Sequence, residues 1–188
     1  MFTFKRIYLF AIMAIYATVV TNAKEFVVDE LKYNVLIGEN YCVEIISNDQ
    51  KYSGDIVIPE KVEYEGIAYS VTHIDNSAFY NCSDLTSITI PNSVIFIGSS
   101  AFSGCTGLST VNFNATNCTY MGESSSPVFN GCTNLKTVNI GENVKTIPDY
   151  TFYKCSGLTS VTIPNSVVYL SGFSDCTGLT SITIPNSV

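Results

Sequence analysis

The chain has 188 residues, enough for one domain with a sizeable core or for a row of small stacked repeats. Only 13% of the residues are charged and the formal net charge is −7, so the clustered Lys and Arg needed to grip nucleic acid or an anionic membrane surface are missing. Nothing in the composition points to disorder.

Read from the N-terminus, the first segment is an export signal. Lys5 and Arg6 precede an apolar stretch from Leu9 to Val20, which has the length of a signal core and is short for a membrane span. Thr21-Asn22-Ala23 places small residues where a signal peptidase reads them, so residues 1–23 are expected to be a signal peptide cleaved after Ala23. Secretion or display at the cell surface is expected, with no membrane insertion after cleavage.

Residues 26–47 do not repeat, within a segment, 24–52, expected to form an N-terminal β cap. Leu31, Tyr33, Val35 and Ile37 alternate, as do Tyr41, Val43 and Ile45, with Gly38-Glu39-Asn40 between them. This predicts a β-hairpin, placed where an N-terminal β cap would cover the exposed core edge of a stacked array.

Repeats fill residues 53–188. Ile56-Val57-Ile58-Pro59 is the first repeat strand. An insert from Glu63 to Ser70 separates Val62 and Val71, both of which match the valine that follows the proline. Leu85-Thr86-Ser87-Ile88-Thr89-Ile90-Pro91-Asn92-Ser93-Val94 returns as Leu158 to Val167 and again as Leu179 to Val188. Related strings run from Leu108 to Phe113 and from Leu135 to Ile140. Cysteines at 82, 105, 132, 155 and 176 mark steps of 23, 27, 23 and 21 residues; the long step puts four extra residues between Asn114 and Pro127. Within a unit, two apolar residues two apart share one face of a strand, and Thr or Ser takes the other face. Proline then ends the strand, because it cannot donate to a ladder. Strands are predicted near 87–90, 110–113, 137–140, 160–163 and 181–184, stacked in parallel over one continuous core. Ser99-Ser100-Ala101-Phe102 is placed for a short turn, 3₁₀ or helical piece on the return arc. The sequence ends in mid-repeat without a C-terminal cap, so a longer protein, or an end completed by another chain, is expected.

The string Leu-x-x-Ile-x-Ile-Pro-x-Ser-Val…Ile-Gly…Ala-Phe-x-x-Cys at 85–105, with its copies, resembles the BspA-like class of leucine-rich repeats. The resemblance spans about residues 53 to 188. It implies a right-handed leucine-rich-repeat solenoid, mostly β, with a parallel sheet on the concave face and about six repeats, the last incomplete. It also implies a secreted or surface protein engaged in adhesion to host matrix or to other cells.

The seven cysteines invite a disulfide or metal reading, but five occupy one position of the repeat. There is no Cys-x-x-Cys, and His73 is the single histidine, so no zinc site is indicated. A ladder of buried free thiols is expected, with Cys42 and Cys118 off the ladder. His73 shares its repeat position with Phe96 and Thr146, which gives it no fixed catalytic partner. No Gly-x-Ser-x-Gly elbow is present, and Glu60, Glu63 and Glu65 flank the insert as solvated acids. No catalysis, cofactor or metal is expected.

What remains is the outward face of the strands. Its residues are Thr86, Ser87 and Thr89; Ser109, Thr110 and Asn112; Lys136, Thr137 and Asn139; and Thr159, Ser160 and Thr162. Extended faces of this kind bind ligands in solenoids, so an extracellular protein or glycan is the expected partner. Each residue taken singly is equally a good solvent-facing strand residue. The alternative function is a structural spacer or assembly module that displays a domain beyond Val188.

Overall fold

The computed structural model describes residues 24–188, and the predicted signal peptide lies outside the described residues. The chain winds as a β-solenoid whose turns contribute strands to two sheets. The main sheet contains β4 (Gly54–Val57), β7 (Leu85–Ile90), β9 (Thr110–Phe113) and β11 (Thr137–Ile140), all parallel. It is followed by a separate parallel pair, β13 (Ser160–Thr162) and β15 (Ser181–Thr183). The predicted strands are therefore all present and parallel. Register puts Ile88 beside Val111 and Ile90 beside Phe113, so the alternating apolar residues form continuous inward columns.

The second sheet is made by the return arcs. Here β6 (Ile67–Ile74), β8 (Phe96–Ile97) and β10 (Tyr120–Met121) pair in parallel, and β12 (Thr146–Ile147) pairs with β14 (Tyr169–Leu170). Between the strands of an arc and the next cysteine the chain runs as turns. The stretch open to a 3₁₀ or helical piece is a turn, and no helix occurs among the described residues. The reason is local: Ser77, Ser100 and Tyr150 hold the same arc position at φ of 57°, 56° and 59°, a left-handed step that ends any helical run. Successive arcs bond to one another instead, as in Phe79 N–H to Ala101 O (2.7 Å) and Phe102 N–H to Val128 O (2.9 Å).

At the N-terminal end, β1 (Glu25–Val28), β2 (Leu31–Val35) and β3 (Cys42–Ile45) form an antiparallel meander, which includes the expected hairpin. β3 then pairs in parallel with β6. The insert is a second hairpin, β5 (Lys61–Tyr64) against β6, turning at Glu65 and Gly66. Both turn residues have positive φ (51° and 75°), which matches the right-handed twist of the strands and which Gly66 supplies without strain. Glu65 is exposed, as expected, and pairs with Lys24 of the N-terminal segment.

A column of stacked rings runs through the core. Phe79, Phe102, Phe129, Phe152 and Phe173 follow one another at 4.7, 4.9, 5.4 and 5.1 Å between centroids. Tyr52 closes the N-terminal end of this column, 4.6 Å from Phe79, and its hydroxyl donates to Ile46 O at 2.7 Å while accepting from Lys32 N–H at 3.1 Å. Burial pushes the Tyr52 phenol up to about 12. The cysteine ladder lies beside the rings. All seven cysteines are free; the five ladder thiols and Cys118 are buried, and Cys42 is half-buried.

Candidate binding face

The outward residues of the main sheet fall in three rows, and the structure treats the two ends of the rows differently. At the N-terminal end the polar groups are spent on one another. Thr86 Oγ1 and Ser87 Oγ both donate to Asp55 Oδ1, at 2.6 and 2.7 Å. These two bonds hold the Asp55 carboxyl below the usual carboxylate range, that from Thr86 most strongly. Asn112 Nδ2 donates to Thr89 Oγ1 (2.9 Å), and Ser109 Oγ donates to the Thr86 carbonyl (3.2 Å). Asp55 was not singled out as a site residue from sequence. The signal was present, since it precedes Ile56 as Ser87 precedes Ile88, but the first repeat matched the pattern too loosely for its outward residues to be assigned.

At the other end the face opens. Asn139 Nδ2 donates to Asn112 Oδ1 at 2.7 Å, and there the side-chain ladder stops. Among the described residues, the side chains of Lys136, Thr137, Ser160 and Thr162 have no hydrogen-bond partner within the chain. The main-chain ladder stops at the same place, because β11 pairs with β9 and β13 with β15 but β11 and β13 do not pair. Gly141 N–H bonds back to Phe113 O and Thr180 N–H to Thr159 O, which fixes the alternation of the two ladders. It leaves the peptide groups of Val138 and Ile140 facing those of Ser160 and Thr162 across the gap. Pro164, at the position of Gly141, has no N–H to offer.

A groove of about 320 Å³ lies over this gap. It brings together Lys136, Thr137, Asn139, Ser160 and Thr162 of the predicted face, with Glu142 and Pro164 at its rim. Thr86, Ser87, Thr89, Ser109, Thr110 and Asn112 lie on the main sheet outside it, and Thr159 lies outside it just before β13. Glu142 is not among the residues expected from sequence; it lines the groove from the turn that follows β11. A larger groove of about 650 Å³ flanks the free edge of β4, between Val27, Asp29 and Glu30 on one side and Asp55 and Val57 on the other. His73, set aside as a catalyst, sits half-buried against Phe96 (5.4 Å between rings) with its Nδ1 2.8 Å from Thr72 Oγ1. Among the described residues no group of three or more His, Cys, Asp or Glu is placed to hold a metal. No helix among them is long and apolar enough to cross a membrane.

The profile of the BspA type leucine rich repeat region matches residues 72–188 in six copies. The chain belongs to this family. Solved structures share its winding. The Treponema pallidum leucine-rich repeat protein TpLRR superposes with a TM-score of 0.59 at 25% identity, over 86% of this chain and 72% of that one. A leucine-rich repeat protein from Bacteroides capillosus gives a TM-score of 0.52 at 24% identity, over 84% of this chain and 96% of that one. The pneumococcal vaccine antigen PcpA gives a TM-score of 0.55 at 19% identity, and the match spans 88% of this chain but only 51% of PcpA. Among curated proteins, none matches the sequence.

Proposed function

We propose that this protein is an extracellular binding protein that holds a protein or glycan ligand on its main sheet, centred on the gap between β11 and β13. The observation that carries this is the coincidence at one place of a break in the main-chain ladder and of side chains without internal partners. Lys136, Thr137, Asn139, Ser160 and Thr162 line that groove. Unpaired strand edges are costly unless water or a ligand satisfies them, and a shallow polar groove gives a ligand access to both edges. The N-terminal half of the face offers much less, because its hydroxyls and amides already serve one another.

Adhesion is the biological form of this reading, in keeping with the family and with the predicted export signal. The experiment is binding of the protein to immobilised matrix glycoproteins and to partner cells, with Asn139→Ala and Thr162→Lys as variants. Both are expected to weaken binding while melting stays near wild type. Binding that survives both, and is lost when Glu60, Glu63 and Glu65 are neutralised together, would move the site to the N-terminal hairpin.

A further inference from the structure

The second sheet has its own break, one turn earlier and on the arc side. His73, Phe96 and Tyr120 stack along its outer face, with centroids 5.4 and 4.8 Å apart and the last two rings within 2° of parallel. The next residue in this row is Thr146, so the column ends in a ring with Phe96 on one face and, among the described residues, no ring stacked on the other. Pairing ends there too: β8 bonds β10 and β12 bonds β14, but β10 and β12 do not pair. The four extra residues of the long repeat lie in this arc, and their tip is ordered by a Glu123–Ser126 bridge with Ser126 N–H donating to Glu123 O at 3.0 Å.

A groove of about 410 Å³ occupies the gap, lined by Tyr120, Glu123 and Ser124 from one arc and Pro148, Asp149 and Tyr150 from the next. Each carboxylate is steadied by a phenol: Tyr120 Oη donates to Glu123 Oε1 (3.5 Å) and Tyr169 Oη to Asp149 Oδ1 (3.2 Å). Tyr150 adds a second ring. It holds the left-handed arc position at φ 59°, where Ser77 and Ser100 stand in other turns, and a bulky residue is uncommon there.

We propose that this groove binds a neutral sugar residue, the C–H face of the pyranose lying on the open face of Tyr120 and its hydroxyls donating to Glu123 and Asp149. The chemistry is complementary. An aromatic face accepts polarised C–H groups, and a carboxylate is an acceptor-only partner for vicinal hydroxyls. No Lys, Arg or His lines the groove, so acidic sugars and phosphates are repelled by the two carboxylates. The volume falls within the usual small-molecule range and exceeds what a quaternary ammonium fills. This site is separate from the main-sheet groove and stands or falls independently of it.

Saturation-transfer NMR on the purified protein tests the proposal, with N-acetylglucosamine, galactose, mannose, N-acetylneuraminic acid and choline as probes. At least one neutral sugar is expected to bind and N-acetylneuraminic acid to show no transfer. Tyr120→Ala should weaken the sugar about tenfold, the loss of one aromatic contact. Thr146→Tyr extends the ring column over the open face, so it should abolish sugar binding in a protein that melts no lower than wild type. This second variant decides the matter if Tyr120→Ala fails to fold. Failure of all three neutral sugars to bind, sugar binding undiminished in Thr146→Tyr, or choline binding in preference to every sugar would overturn the proposal.

Discussion

The Cys155 thiol lies 4.0 Å from the carbonyl oxygen of Phe129, whereas its counterparts Cys105, Cys132 and Cys176 reach the equivalent carbonyls at 3.0, 3.2 and 3.1 Å. The same turn-to-turn step has the widest spacing in the phenylalanine column, 5.4 Å between Phe129 and Phe152. The turn that begins at Leu135 is thus held to its predecessor by its strand and to its successor by its arc. Both grooves of interest open beside that one skewed turn.

Hydrogen exchange should expose this seam. Peptide groups of Ser160 and Thr162, which face the unpaired edge of β11, are expected to exchange faster than those of Val111 and Phe113, which sit in an unbroken ladder. Equal protection of the two strands would mean that the gap closes in solution.

Core truncation should be costly wherever a repeat residue is fully buried. Phe102 and Leu108 are both inaccessible to solvent. Replacing either by Ala should cost about 2–5 kcal/mol, measured by chemical denaturation. By contrast Thr110→Lys, on the outward face, should shift stability by only about 0.5 kcal/mol.

Thiol reactivity should divide the cysteines. Burial raises the Cys118 thiol to about 12, and the Cys155 thiol is raised by the same cause. Cys42 is half-buried. Labelling of the native protein should therefore modify Cys42 first, and labelling in denaturant without reductant should count seven thiols. A mass consistent with bridges between neighbouring ladder positions would contradict the buried-thiol core.

Acid should act on the N-terminal end of the main sheet through Asp55. Its carboxyl is held below the ordinary range by Thr86 and then Ser87, so the folded state favours the ionised form. That contribution is fully present above the unfolded carboxylate value of about 3.9 and is lost as pH falls through the lower folded value. Asp55→Asn should lower stability slightly near neutrality, where the contribution is fully present, and flatten the stability-against-pH curve below about pH 4. The effect is small because Asp55 is solvent-exposed.

The repeat period and the apolar pairs two residues apart were enough to read the stacked parallel strands, the inward columns, the cysteine ladder and the N-terminal hairpin. All of these are local patterns copied from turn to turn, and a strand's two-residue alternation dictates which side chains turn inward. The outward face was legible as a surface, but the residues of it without internal partners were not. Asp55 absorbs Thr86 and Ser87, and Asn112 absorbs Thr89, only because register sets them side by side. The gaps between β11 and β13, and between β10 and β12, have no motif of their own. The proline at the end of β13 does not by itself break a ladder, since Pro91 and Pro185 hold the same position in strands that pair with the preceding turn; the four extra residues of one arc displace the turns beside them. Whether two successive turns then close their ladders depends on how the stack shares that displacement, a property of several turns packed together that no single repeat contains.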